Sequence, residues 1–247
     1  MHRHYLEPAR FSRETLVLER EEARHLQSVL RVRDGEVVEL FDGCGQTVRV
    51  RVSSTGRHTL QLTREAPPTC HAPPACRLVL FACISKGKRM DWTIEKGVEL
   101  GVSRIIPVLS ERTIVRLDEE GAEGRADRWQ RVAVEAARQC GTPWLPAVDP
   151  PRPFAAIPPL VAACAPVLVA ALTPAARPLR QVLAALRTPR PPPVTIGWFV
   201  GPEGDFTPQE LDRLQEAGAL PVSCGPQILR TETAALWGLC VLGAEFL

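Results

Sequence analysis

Two glycine-bearing segments near the C-terminus hold the residue types best suited to binding chemistry. One is Gly201-Pro202-Glu203-Gly204-Asp205, which follows an apolar run; the other is Cys224-Gly225-Pro226-Gln227-Ile228-Leu229-Arg230-Thr231-Glu232-Thr233-Ala234, which leads into one. Each places glycine at a strand-to-helix turn. Backbone without a side chain lets a ligand approach closely there, and the first amides of the following helix lack partners. Glycine at a strand end is often a turn residue and nothing more. Two such loops beside converging helix starts favour a shared pocket, with Arg230, Glu232 and Glu203 as the charged groups at its mouth.

A third segment, Ser85-Lys86-Gly87-Lys88-Arg89-Met90-Asp91-Trp92, sets Lys86, Lys88 and Arg89 beside a helix start, with Lys96 inside the helix. Cations at that end oppose the helix dipole, at a cost of roughly a few tenths of a kcal/mol unless an anion compensates. A phosphate backbone is such an anion. No Gly-x-Gly-x-x-Gly follows the strand before this segment and no Gly-Lys-Ser/Thr phosphate loop occurs, so the common dinucleotide and nucleoside-triphosphate readings lose their main support.

These segments must be carried by elements. Residues 15–18, 37–41, 47–52 and 59–62 alternate as short strands, which with Gly-rich turns such as Asp42-Gly43-Cys44-Gly45 predict a small β-barrel. A short helix over 21–30 presents His25, Leu26, Val29 and Leu30 on its apolar side. Residues 66–75 contain four prolines and read as a linker between two domains, 1–68 and 77–247. Beyond it, strands at 77–84, 104–109, 166–172, 194–200 and 220–224 alternate with helices near 91–100, 125–140, 178–187, 207–217 and 231–246, the pattern of an α/β fold with a mainly parallel sheet. Thr207, Pro208 and Glu210 predict a capping box. The last helix is apolar nearly all round and rich in small residues, so it packs in its own core or against a second subunit. Trp92, Trp129 and Trp237 fall at helix positions as core or interface residues, whereas Trp144 lies in a Pro-rich loop.

Composition sets outer bounds. The 247 residues suffice for one or two domains with real cores, and two is the better reading. The charges of 27 Arg and 3 Lys nearly cancel against 28 acids, so net charge by itself does not mark a nucleic-acid partner. The eight cysteines form no Cys-x-x-Cys pair, and Cys70-His71 with Cys76 lacks a second half, so no metal site and reduced thiols are expected. No basic-then-apolar leader opens the sequence, and no apolar run reaches about 18 residues, which predicts a soluble cytoplasmic protein without a membrane partner.

Lys86-Gly87-x-Arg89-Met90, Glu99-Leu100-Gly101-Val102, Pro107, Ser110-Glu111-Arg112, Gly201-Pro202-Glu203-Gly204 and Leu229-Arg230-Thr231-Glu232-Thr233-Ala234 together resemble the RsmE family, along with His25 and Val29-Leu30-Arg31. The resemblance covers nearly the whole chain. It implies a PUA-like β-barrel that grips RNA, followed by a SPOUT-type knotted α/β domain whose C-terminal part forms a trefoil knot and which dimerises with a second copy. It further implies methyl transfer from S-adenosylmethionine to N3 of a uridine in small-subunit (16S) ribosomal RNA. The cofactor would sit against Leu172, Val200, Gly201, Pro202, Glu203, Gly204, Cys224, Gly225, Ile228, Leu229, Arg230, Thr233 and Ala234. Arg230 would stabilise charge on the uracil oxygens, and Glu232 or Glu203 is the nearby carboxylate that serves as base or merely holds the loop. Arg31, Arg33, Lys86, Lys88, Arg89 and Arg112 would contact RNA phosphates.

The sequence departs from the family at Asp205, where a second glycine is usual, at Gln227, where arginine is common, and at Arg138 and Thr142. These departures bear on substrate contacts more than on the cofactor loops. They leave two alternatives, an enzyme of the same fold acting on another RNA site and a non-catalytic RNA-binding or ribosome-assembly protein.

Overall fold

The computed structural model describes residues 1–247 except 12, 14, 30, 57, 116–118, 165 and 188–193. Leu30 and the side chains of His25 and Val29 therefore lie outside the described residues. The chain forms two compact units, residues 1–73 with 137–145, and residues 74–136 with 146–247. Among the described residues no helix is long and apolar enough to cross a membrane.

The first unit is built on β1 (His2–Tyr5), β2 (Thr15–Glu19), β3 (Val37–Phe41), β4 (Gln46–Thr55), β5 (Thr59–Arg64) and β6 (Thr69–Cys70). The hydrogen-bonded path runs β1-β3-β4-β5-β2, with β6 on β4. Alternation does what the sequence predicts: Leu16 and Leu18 of β2 turn inward while Thr15, Val17 and Glu19 stay exposed. They join Val38, Leu40, Val50, Leu60 and Leu62 in one core. The Asp42 carboxylate closes the β3–β4 turn by accepting from the amides of Cys44 (2.7 Å) and Gln46 (2.9 Å).

Three features differ from the sequence reading. The stretch 66–75 is not wholly a linker, since Thr69 and Cys70 pair antiparallel with Thr47 and Gln46. The four prolines flank this pair rather than interrupt it, so the ladder keeps its donors. Strand β1, His-Arg-His-Tyr, has no apolar alternation and is held by parallel pairing with β3 and the 2.6 Å Arg3–Glu39 ion pair. The helix expected at 21–30 is a short α1 (Arg20–Arg24) that widens into a π-helical turn at His25–Val29.

The second unit contains β7 (Arg77–Cys83), β8 (Val102–Leu109), β9 (Ala147–Val148), β10 (Arg152–Pro153), β11 (Val167–Ala170), β12 (Arg177–Pro178), β13 (Thr195–Val200) and β14 (Ala219–Ser223). All pair in parallel, in the order β10-β8-β7-β13-β11-β14-β12 with β9 on β8. Its helices are α2 (Arg89–Glu99), α3 (Glu119–Cys140, of which residues 137–140 belong to the first unit), α4 (Pro158–Ala163), α5 (Leu179–Leu186), α6 (Pro208–Glu216) and α7 (Thr231–Phe246). The alternation of five main strands and five helices stands as the periodicity predicts. The two-residue strands and the one-and-a-half-turn α4 are too short to leave a periodic signal.

Register places the functional loops. Ala82, Val200, Ala170 and Val222 lie in one row across β7, β13, β11 and β14. The chain leaves all four strands at the same sheet edge, the carboxyl end where α/β folds bind ligands. The expected capping box on α6 is present, Thr207 Oγ1 accepting from Glu210 N (3.2 Å) and Glu210 Oε2 from Thr207 N (3.0 Å).

Helix α7 packs in its own core, against β7, β13 and α2, through Ala234, Ala235, Gly238, Leu239 and Leu242. A Cβ on Gly238 would lie 2.0 Å from Trp198 Cε2, so only glycine permits this approach. Trp198 Nε1 donates to the Ala234 carbonyl at 3.1 Å, giving the buried indole its hydrogen bond.

Candidate functional site

A cleft of about 440 Å³ opens at the carboxyl edge of β11, β13 and β14. Its walls are the three loops that register aligns there: Ala170 to Leu172 after β11, Val200 to Glu203 and Asp205 after β13, and Ser223 to Gly225 and Gln227 to Thr231 after β14. Ala234 of α7 forms part of the lining. Leu172 and Ile228 are 63% and 78% exposed, an unusual state for large apolar side chains that gives the mouth two greasy faces. Burial pushes the Cys224 thiol up to about 11, so this wall is a neutral S–H at physiological pH. Gly225 adopts φ +129°, which side-chain-bearing residues rarely reach, and leaves open space where a Cβ would stand.

Asp205 ties two of these loops together. Its backbone has φ +58°, the left-handed conformation that Asp and Asn tolerate better than other non-glycine residues. Its carboxylate accepts from Leu172 N at 3.0 Å and from Phe206 N at 2.8 Å. Gly204 is not on the cleft wall; its carbonyl accepts from Arg112 Nη1 at 2.7 Å, and Arg112 also reaches the Phe206 carbonyl at 3.3 Å. The guanidinium of Arg112 thus braces the loop after β13.

A second cleft, about 520 Å³, adjoins the first and is lined by Lys86, Lys88, Arg89, Trp92, Arg230, Glu232 and Thr233. Arg89 and Arg230 belong to both clefts. Arg89 Nη1 donates to Glu203 Oε1 at 2.9 Å, and its Nε lies 3.9 Å from Glu232 Oε1. Arg230, the N-cap of α7, is exposed and has no ion pair among the described residues. The two glutamates are therefore partnered by Arg89, and Arg230 keeps a free cation at the junction of the clefts. Lys96, by contrast, is engaged by Glu95 (2.8 Å) and Glu99 (2.7 Å).

Among the described residues no group of three or more His, Cys, Asp or Glu side chains is arranged to hold a metal. His71 hydrogen-bonds Thr47 Oγ1 at 2.9 Å, and the eight cysteines are free thiols.

The family model described as the RNA methyltransferase domain matches residues 72–243, and that of the RNA methyltransferase PUA domain matches residues 18–63. Ribosomal RNA small subunit methyltransferase E of Mycobacterium bovis is 31% identical over 92% of this chain and 85% of its own length. The chain belongs to the ribosomal RNA small subunit methyltransferase E family. The Synechocystis member is 29% identical over 96% of this chain and 75% of its own length. The crystal structure of the Neisseria gonorrhoeae member, bound to S-adenosyl methionine, superposes with a TM-score of 0.85 at 36% identity, over 98% of this chain and 96% of that one. The methyltransferase E fold is thus a SPOUT-type α/β domain preceded by a PUA-like unit.

Set against this family, eleven of the sequence-predicted cofactor residues line the first cleft: Leu172, Val200, Gly201, Pro202, Glu203, Cys224, Gly225, Ile228, Leu229, Arg230 and Ala234. Thr233 faces the second cleft instead. Sequence reasoning missed Ser223, Gln227, Thr231 and the small residues Ala170 and Ala171 on the first wall. The motif strings signalled Gln227 and Thr231, whereas nothing marked Ala170 before the strand order was known. Lys86, Lys88 and Arg89 meet at the second cleft; Arg31 and Arg33 are exposed in the first unit. The departures Arg138 and Thr142 also lie in the first unit. Trp129 is buried and donates to Asp91 Oδ1 at 3.0 Å, but Trp92 is 44% exposed on the wall of the second cleft, contrary to a core role.

Proposed function

We propose that this chain transfers a methyl group from S-adenosylmethionine to N3 of a uridine in 16S ribosomal RNA. The observation that carries the reading is the junction of the two clefts: a cleft with glycine and carboxylate walls for a small ligand meets a cationic one at Arg89 and Arg230. The residues present fit the cofactor. Leu172 and Ile228 offer apolar faces, Gly225 leaves backbone accessible, and the carboxylates of Glu203 and Asp205 suit a ligand bearing positive charge. When bound, S-adenosylmethionine supplies an electrophilic methyl on a sulfonium.

The protein's contribution is alignment and charge. Methyl transfer is an in-line displacement, so holding two reactants at contact distance supplies much of the rate. Uracil N3 loses a proton, and negative charge spreads onto the adjacent carbonyl oxygens. Arg230, cationic and without an ion pair among the described residues, is placed to stabilise that charge. Lys86 and Lys88 would hold phosphate beside it, with Arg31 and Arg33 as further phosphate contacts on the PUA-like unit. The domain limits 1–68 and 77–247, the trefoil knot, a cytoplasmic location and a small-subunit partner belong to the same reading. So does a homodimer: the outer face of α7 leaves Cys240 exposed and Trp237 and Val241 half-buried, a strip suited to a second copy.

Calorimetric titration with S-adenosylmethionine and its demethylated product tests this. The native protein binds both; Gly201→Val, whose side chain would crowd Phe206 and Asp205 and disturb the wall, binds neither. Arg230→Ala keeps cofactor affinity within about threefold and loses uridine methylation, a charge-stabilising contact being worth about 10²- to 10³-fold. A folded native protein that ignores the cofactor, or an Arg230→Ala variant with full turnover, refutes the reading.

A further inference from the structure

We propose that the second cleft seats the target base, with Trp92 as the stacking face and the Glu232 carboxylate as acceptor of the ring N3–H. This deepens the reading above and rests on it. Helix α2 buries Met90, Thr93 and Ile94, yet turns Trp92 outward among Lys86, Lys88, Arg89 and Arg230. An indole left 44% exposed beside cations is a platform for a planar base, held by stacking below and phosphate contacts at its rim.

Glu232 supplies the second, independent observation. Its side chain is only 12% exposed, and its Oε2 is buried without a hydrogen-bond partner. Its ion-pair contact with Arg89, on Oε1, is 3.9 Å long. A buried acceptor left unpaired costs about 1 to 3 kcal/mol, so a carboxylate that turns to meet a donor in the cleft recovers that energy. Glu203 is the weaker candidate, because it lines only the first cleft and its Oε1 already accepts from Arg89 at 2.9 Å.

The pattern matches uracil. Its N3–H is a donor between two carbonyl acceptors, complementary to a carboxylate beside the Arg89 guanidinium in a cleft that Arg230 also lines. Cytosine carries a lone pair at N3 at neutral pH and would set it against the Glu232 carboxylate. In the reaction the N3 proton passes to the Glu232 carboxylate, leaving a neutral carboxylic acid. The N3 electron pair forms the new C–N bond, and the C–S bond of the sulfonium donor breaks with its pair retained by sulfur as a thioether. Glu232 thereby both selects the base and removes its proton.

The test uses full-length protein labelled with 5-fluorotryptophan and followed by fluorine NMR, with the Trp92 resonance assigned by its loss in Trp92→Phe. Uridine 5′-monophosphate should shift that resonance, with cytidine 5′-monophosphate binding at least roughly fivefold more weakly, the equivalent of about 1 kcal/mol. Trp92→Ala should weaken uridine nucleotide binding roughly five- to hundredfold. Glu232→Gln should abolish the preference for uridine over cytidine, and both variants should keep the native S-adenosylmethionine affinity. An unmoved Trp92 signal, or a preference that survives Glu232→Gln, overturns the base pocket while cofactor binding still stands. Failure of the native protein to bind the cofactor would instead defeat the underlying function.

Discussion

The Asp205 carboxylate accepts the backbone amide of Leu172 at 3.0 Å, joining the loop after β13 to the loop after β11 at the edge of the first cleft. The φ of +58° at Asp205 is one that glycine adopts freely and Asp tolerates. The chain accepts a residue that tolerates this conformation and uses its side chain as a tie. Asp205→Ala should lose the tie and keep the strain, reducing stability by about 1 to 2 kcal/mol and weakening S-adenosylmethionine severalfold. Asp205→Gly should lose less stability than Ala, because glycine takes the same φ freely. Denaturant unfolding and calorimetry of the two variants check the ranking.

Arg89 is an exposed ion-pair partner of Glu203, its side chain 45% exposed. Such pairs contribute at most about 1 kcal/mol to folding. Arg89→Ala should therefore leave the unfolding midpoint nearly unchanged. Its RNA affinity should fall, and the slope of log affinity against log salt should lessen by about one, as expected for one lost phosphate contact. A salt series with a short single-stranded RNA measures both.

Gly238 admits α7 to the face of Trp198. Gly238→Ala puts a methyl where the indole ring already stands, 2.0 Å away, and that ring is fully buried and tied by its N–H to the Ala234 carbonyl. Overpacking of this kind costs about 1 to 3 kcal/mol. For a unit of this size the thermal midpoint should drop by several degrees, read by circular dichroism.

Buried thiols make stability pH-dependent on the alkaline side. Burial pushes Cys83 up to about 12 and Cys224 up to about 11, against an ordinary 9.0. Above pH 9 the unfolded chain releases these protons while the folded one keeps them, so stability falls as pH rises toward 11 and is unaffected below pH 8. The double variant Cys83→Ala/Cys224→Ala should show a flatter decline between pH 9 and 10.5 in urea unfolding.

Local chemistry wrote much of this protein into its sequence. Alternation in Thr15–Glu19 sorts Leu16 and Leu18 inward, and Thr207 with Glu210 marks the start of α6, because each depends on neighbours a few residues away. The glycine turns at Gly201 and Gly225 are legible for the same reason. What tertiary structure alone decided is which loops meet. Strand β11 enters between β13 and β14, and only this order brings Ala170 and Leu172 to the wall that Gly201 and Gly225 share. The pairing of Arg89 with Glu203, 114 residues away, and the outward turn of Trp92 beside Arg230 likewise depend on long-range register. Side-chain periodicity has a range of a few residues, whereas strand order is set by the whole core, so the sequence announced the parts of the site and the sheet chose their company.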